Sequence, residues 1–114
     1  MPYLKITTSQ PIGAERKHHL LKAASKMVAA ELGKPEQYMM VSAETPVSML
    51  FAGTDAPCAF LELRGIGLPE SKAGKLSQLL CALVESQAGI PQDRVYINFA
   101  DVPTNLWGWN SETF

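Results

Sequence analysis

The sequence predicts an α+β domain. Two pseudo-symmetric βαβ units join into a four-stranded mixed sheet, with both helices on one face. The first observation is length: 114 residues suit one domain and one core. The second is a hydrophobic spacing that passes twice from strand to helix and back. The third is a repeat. Gly89 lies 56 residues after Gly33, Pro91 lies 56 after Pro35, and the same shift carries Pro2 onto Cys58 and Met40 onto Tyr96. The domain therefore spans 1–114, as repeats of approximately 2–56 and 57–114. Right-handed crossovers lay each helix over its own pair of strands.

Each element follows from local chemistry. Residues 3–9 read as a strand, rich in β-branched and aromatic side chains. Gln10-Pro11-Ile12-Gly13 is a break. From Ala14 to Leu32, Leu20, Leu21, Ala24, Met27, Val28 and Leu32 recur at spacings of three and four. Gly33 then caps the helix, and Pro35 forbids its continuation. Tyr38 to Ala43 reads as the second strand. An apolar piece at 47–51 ends in the turn-prone Gly53-Thr54-Asp55. The order recurs with a strand at 58–63, a Gly65-Ile66-Gly67 loop, a helix at 71–88 and a strand at 95–99. Consecutive apolar residues at 39–41 and 59–61 predict a sheet that is apolar on both faces. A bare apolar face of that size needs a cover, so copies of the chain are expected to close into a ring. The segments near 47–51 and 106–109 would then lengthen neighbouring sheets.

Ten basic and eleven acidic residues give a formal net charge of −1, with no arm of either sign. That argues against nucleic acid or an anionic membrane as the main partner. No apolar run reaches the ~18 residues of a membrane span. The start of the chain lacks a basic-then-apolar signal pattern, so the cytoplasm is the expected location. Cys58 and Cys81 are too few for a disulfide framework. Two histidines and two cysteines without ligand spacing argue against a metal, and no cofactor is expected. His18 and His19 read as solvated helix residues, and Gly65-Ile66-Gly67 lacks the spacing of a phosphate loop.

The chain opens Met1-Pro2 at the head of a strand. Loss of Met1 would leave Pro2 as a terminal secondary amine, a base no side chain provides. Together with the 2-fold βαβ repeat, this resembles the tautomerase superfamily. The segments 33–38, Cys58-Ala59, 65–67, 79–81, 93–98 (Asp-Arg-Val-Tyr-Ile-Asn) and Gly108-Trp109-Asn110 narrow it. They resemble the family of macrophage migration inhibitory factor and D-dopachrome tautomerase, over the chain from Pro2 to Phe114.

The resemblance implies a homotrimer with active sites between subunits. It implies Pro2 as catalytic base, Lys34 holding the substrate carboxylate and a backbone N–H at Ile66. Tyr96 and Asn98 would come from the neighbour, with Tyr38, Trp109 and Phe114 as pocket walls. Trp107 stands where the family often has a small aliphatic residue at the rim. The implied reaction is keto–enol tautomerism of an α-keto acid such as phenylpyruvate, or of a dopachrome-type substrate. Such a step needs a base near neutral pKa, a donor for the enolate oxygen and a carboxylate clamp. Relatives also act as cytokine-like ligands of receptor proteins and can leave the cell without a signal peptide, a second expectation that no epitope in this sequence supports. A Cys-x-x-Cys redox pair is absent, because Leu61 occupies its second position. Cys81 is expected to be buried and inert.

Overall fold

The computed structural model describes residues 1–114. In chain order the main elements are β1 (Pro2–Thr8), α1 (Ala14–Leu32), β2 (Met40–Glu44), β3 (Ala59–Gly65), α2 (Ala73–Ala88) and β4 (Val95–Asp101), followed by a small hairpin of β5 (Gly108–Trp109) and β6 (Glu112–Thr113). The main sheet has the order β2-β1-β3-β4. β1 runs parallel to β2, antiparallel to β3, and β3 runs parallel to β4. This is the α+β fold of two βαβ units that the sequence predicts.

Alternation along the strands decides which face the helices cover. Pro2, Leu4, Ile6 and Thr8 of β1 are buried, as are Ala59, Leu61, Leu63 and Gly65 of β3. Against them pack Leu20, Ala24 and Val28 of α1 and Leu76, Leu80 and Val84 of α2, each set at spacings of four. Gly33 and Gly89 close the helices at φ 63° and 69°, where a side chain would be strained. The core is tight enough for one truncation to be felt. Leu61 is fully buried, so Leu61→Ala is expected to cost about 2–5 kcal/mol. Equilibrium denaturant unfolding reads this directly, and an unchanged midpoint would contradict the assigned core.

Several expected boundaries move. Tyr38 lies in a 3-10 turn, Glu36–Tyr38, and β2 starts at Met40. A second such turn, Glu70–Lys72, precedes α2. Gly65 belongs to β3, and β4 continues to Asp101. The 47–51 segment forms no strand here; it carries only an isolated bridge from Phe51 to Thr54. The repeat also slips by one residue in the sheet. Pro2 of β1 corresponds to Ala59 of β3, not to Cys58, because buried positions must coincide under the pseudo-twofold axis.

The uncovered face is not the apolar surface that the sequence predicts. Its register sets Tyr3, Lys5 and Thr7 beside Met40, Ser42 and Glu44, and beside Arg64, Glu62 and Phe60. Lys5 pairs with Glu44 at 3.7 Å, Arg64 with Glu62 at 3.6 Å, and Tyr3 shares a 2.7 Å hydrogen bond with Ser42. Strict alternation sends Met39 and Val41 to the helix side and only Met40 outward. The large apolar or aromatic groups left open are Met40 and Tyr96 on the two edge strands and Phe60 on the inner β3.

Candidate functional site

β1 begins where β3 ends, and Pro2 pairs with Gly65. Two loops reach this point. One is the α1 cap, where the Lys34 backbone N–H donates to the Ala29 carbonyl at 3.0 Å and turns the chain back over the sheet end. The other is the turn after β3, where Gly67 takes φ 67° and the Leu68 N–H donates to Asp101 Oδ1 at 3.1 Å. Pro2, Lys34 and Ile66 thereby line one pocket, together with Met1, Leu32 and Leu68. The cavity it encloses is only about 10 Å³, far below the ~300 Å³ at which small-molecule sites begin. Met1 forms part of its wall. Loss of Met1 would widen the pocket and expose the Pro2 nitrogen in the same step.

The electrostatics suit a base and an anion. Burial holds the Met1 terminal amine below its ordinary pKa, and the Lys34 cation lowers it further. Both disfavour adding a proton to nitrogen at this spot. Lys34 itself takes part in neither ion pair of the structure. It is a half-buried cation without a carboxylate of its own.

The aromatic residues gather separately but at the same end of the sheet. β2 starts with Met40 beside Tyr3, and β4 ends with Asp101 beside Gly65. Both flanking segments therefore leave the sheet near Pro2. The Val102 N–H donates to the Gly65 carbonyl at 2.8 Å, which carries the C-terminal segment across the strand ends. Tyr38 meets Trp109 edge-on at 6.2 Å, and Trp109 stacks on Phe114 at 5.8 Å. Asn110 and Ser111 turn the hairpin at φ 52° and 69°. Trp107 is half-buried, and its carbonyl accepts the Phe114 N–H at 3.2 Å.

Tyr96 and Asn98 are not brought to Pro2 within the chain. They project from the opposite face of β4, Tyr96 beside Phe60 and Asn98 beside Glu62. Tyr96 is 64% exposed, and Phe51 packs on its ring at 4.7 Å. Sequence reasoning missed Asp101, which pins the Ile66 loop. Nothing distinguishes it in sequence from any acidic residue at a strand end. Cys58 is buried, as a small apolar group would be, whereas Cys81 is half-buried rather than buried. Burial pushes the Cys81 thiol up, away from the reactive thiolate. No helix is long and apolar enough to cross a membrane.

Comparison with known proteins covers the entire chain. The model of the macrophage migration inhibitory factor family (MIF) matches residues 1–114. Mouse macrophage migration inhibitory factor is 36% identical, covering 100% of this chain and 99% of that protein. The macrophage migration inhibitory factor homolog of Brugia malayi is 35% identical over the same shares. Among solved structures, the homologue from Prochlorococcus marinus superposes with a TM-score of 0.94 at 42% identity, over 98% of each chain. The Toxoplasma gondii macrophage migration inhibitory factor also gives 0.94, at 33% identity, over 98% of this chain and 99% of that one.

Proposed function

The chain belongs to the macrophage migration inhibitory factor family, with the fold of the tautomerase superfamily, and from that premise we propose that it is a keto–enol tautomerase of aromatic α-keto acids such as phenylpyruvate. Pro2 is the base once Met1 is removed. One observation carries the reading: a cation without an acidic partner, Lys34, shares a pocket with the nitrogen end of β1, where burial and that cation lower the pKa of a terminal amine.

The Pro2 amine takes a proton from the carbon next to the keto group. Lys34 holds the substrate carboxylate. The backbone at Ile66 lies beside the reacting atoms. The Tyr38–Trp109–Phe114 cluster offers ring faces for the aromatic end, and Trp107 at the pocket rim narrows the room that end has. The proton then returns at oxygen, and donors facing that oxygen stabilise the charge that develops there.

The assembly proposed is a homotrimer. Tyr96 and Asn98 stand exposed on a sheet edge, away from their own Pro2, and a neighbour's site gives them a use. An isolated chain would thus hold an incomplete site. The test pairs mass with activity. Light scattering is expected to give three chains, and the ultraviolet absorbance of phenylpyruvate enol should decay faster with protein than in buffer. Co-refolding Pro2→Gly chains with Tyr96→Ala chains, each impaired alone, should restore part of the activity, since some mixed sites regain both groups. No acceleration by protein lacking Met1 would end the enzyme reading; no recovery on mixing would end the shared site.

A further inference from the structure

Arg94 makes contacts that the reaction outlined above does not use. It heads β4, in the 3-10 turn Gln92–Arg94, two residues before Tyr96. Its guanidinium reaches back over the loop between β2 and β3. Nε donates to the Pro57 carbonyl at 2.9 Å. Nη2 donates to the Phe51 carbonyl at 3.1 Å, the Ala56 carbonyl at 3.1 Å and, at 3.4 Å, the Thr54 carbonyl. The same group lies over the Phe51 ring, 5.0 Å from its centroid. The three protons on Nε and Nη2 therefore reach four carbonyls of residues 51–57, the long Thr54 contact sharing a proton with another, in a planar geometry that a lysine ammonium could not match.

The turn has little else to hold it. Phe51 and Thr54 exchange backbone bonds at 3.0 and 3.1 Å. Between them Ala52 and Gly53 take φ 54° and 75°, and for alanine that region costs energy. Residues 52–56 are all exposed. Arg94 thus fixes where Phe51 points, and Phe51 points at Tyr96: the two rings meet at 4.7 Å and 53°. Tyr96 otherwise remains largely exposed.

We propose that Arg94 is a positioning residue for the substrate's aromatic end: by clamping the 51–57 turn it seats Phe51 against Tyr96 and fixes the Tyr96 ring as a wall of the neighbouring subunit's pocket. This rests on the shared-site reading above. It goes beyond it by making ring selectivity depend on a residue that touches no substrate. A freely turning Tyr96 would contact an aromatic substrate less well. It would leave the keto acid head group, held by Lys34 and Pro2, undisturbed.

The experiment compares phenylpyruvate with an aliphatic α-keto acid of the same head group, such as 2-oxobutanoate, in wild type, Arg94→Ala and Arg94→Lys. The expected result for both variants is a rise in KM for phenylpyruvate on the order of tenfold, kcat nearly unchanged, and little change for the aliphatic acid. The Tyr96 ring proton shifts, read by NMR without substrate, should lose the ring-current contribution of Phe51. Equal losses on both substrates would mark a merely structural clamp and overturn the proposal. So would unchanged selectivity with the ring shifts lost. Should Arg94→Ala fail to assemble, Phe51→Leu keeps the apolar contact, removes the ring and is read in the same way. An inactive wild type, or a fully active Pro2→Gly, would instead overturn the tautomerase reading, and those two controls keep the failures apart.

Discussion

Pro2→Gly is expected to lower kcat on phenylpyruvate by about 10²–10⁴-fold, the range a positioned general base contributes. The substitution leaves a primary amine at the chain start after Met1 is lost. Some basicity therefore survives, but the ring that fixes the nitrogen's direction is gone. The fold should tolerate the change, because Pro2 is the first residue of β1 and its remaining strand partners are unaltered. Unchanged KM with collapsed kcat would be the signature of a lost base. Full activity would exclude Pro2 from the chemistry. Retention of Met1 makes a second, independent version of the same test. With Met1 present the Pro2 nitrogen is an amide without a basic lone pair, and Met1 fills part of the pocket. A preparation whose intact mass corresponds to all 114 residues is expected to be as inactive as the glycine variant. Protein lighter by one methionine should carry the activity. An active full-length species would contradict the mechanism as surely as an active variant.

Much of the fold was legible because its punctuation is chemical. Glycine tolerates the left-handed cap and proline forbids a further turn, so Gly33-Pro35 and Gly89-Pro91 marked both helix ends at a constant interval. The spacing-four rows of Leu20, Ala24, Val28 and of Leu76, Leu80, Val84 marked the covered faces. What failed was any feature fixed by register. Met39-Met40-Val41 reads as apolar on both sides until pairing sets Met40 beside Tyr3 on the open face. Glu62 and Arg64 stand two apart on one strand, and Lys5, distant in sequence, joins them in one charged strip only through cross-strand pairing. The one-residue slip that matches Pro2 to Ala59 rather than Cys58 has the same origin. The helix-end markers count residues through helices and turns, and those need not match the count along strands.

The candidate site divides along a similar line. The family resemblance implied Pro2, Lys34 and Ile66 together, and all three line one pocket. The cluster of Tyr38, Trp109 and Phe114 depends on a C-terminal hairpin whose two-residue strands leave too short a pattern to read. Arg94 was invisible as a clamp. Its four acceptors are backbone carbonyls, and a carbonyl carries no residue type.

Lys34→Ala is expected to act on affinity and on pH together, which separates it from every other variant. Losing a charge-assisted contact to the substrate carboxylate costs about 1.5–3 kcal/mol, so KM should rise by roughly 10- to 150-fold. The pH effect has a definite sign. A base works unprotonated, so kcat/KM climbs as pH rises through the base's pKa in the free enzyme. The Lys34 cation lowers the pKa of an amine at this end of β1, second to burial in size. Removing the cation raises that pKa, and the acid limb of the profile must move to higher pH. Burial is untouched, so the limb should stop short of the value for an exposed amine. Lys34→Arg keeps the charge and should hold the limb near its wild-type place while changing KM through its different reach. A pH–rate series on the three proteins reads both effects. A limb that stays fixed in Lys34→Ala while KM rises would leave Lys34 as a carboxylate clamp alone, and the tuning of the Pro2 amine would then have to come from burial.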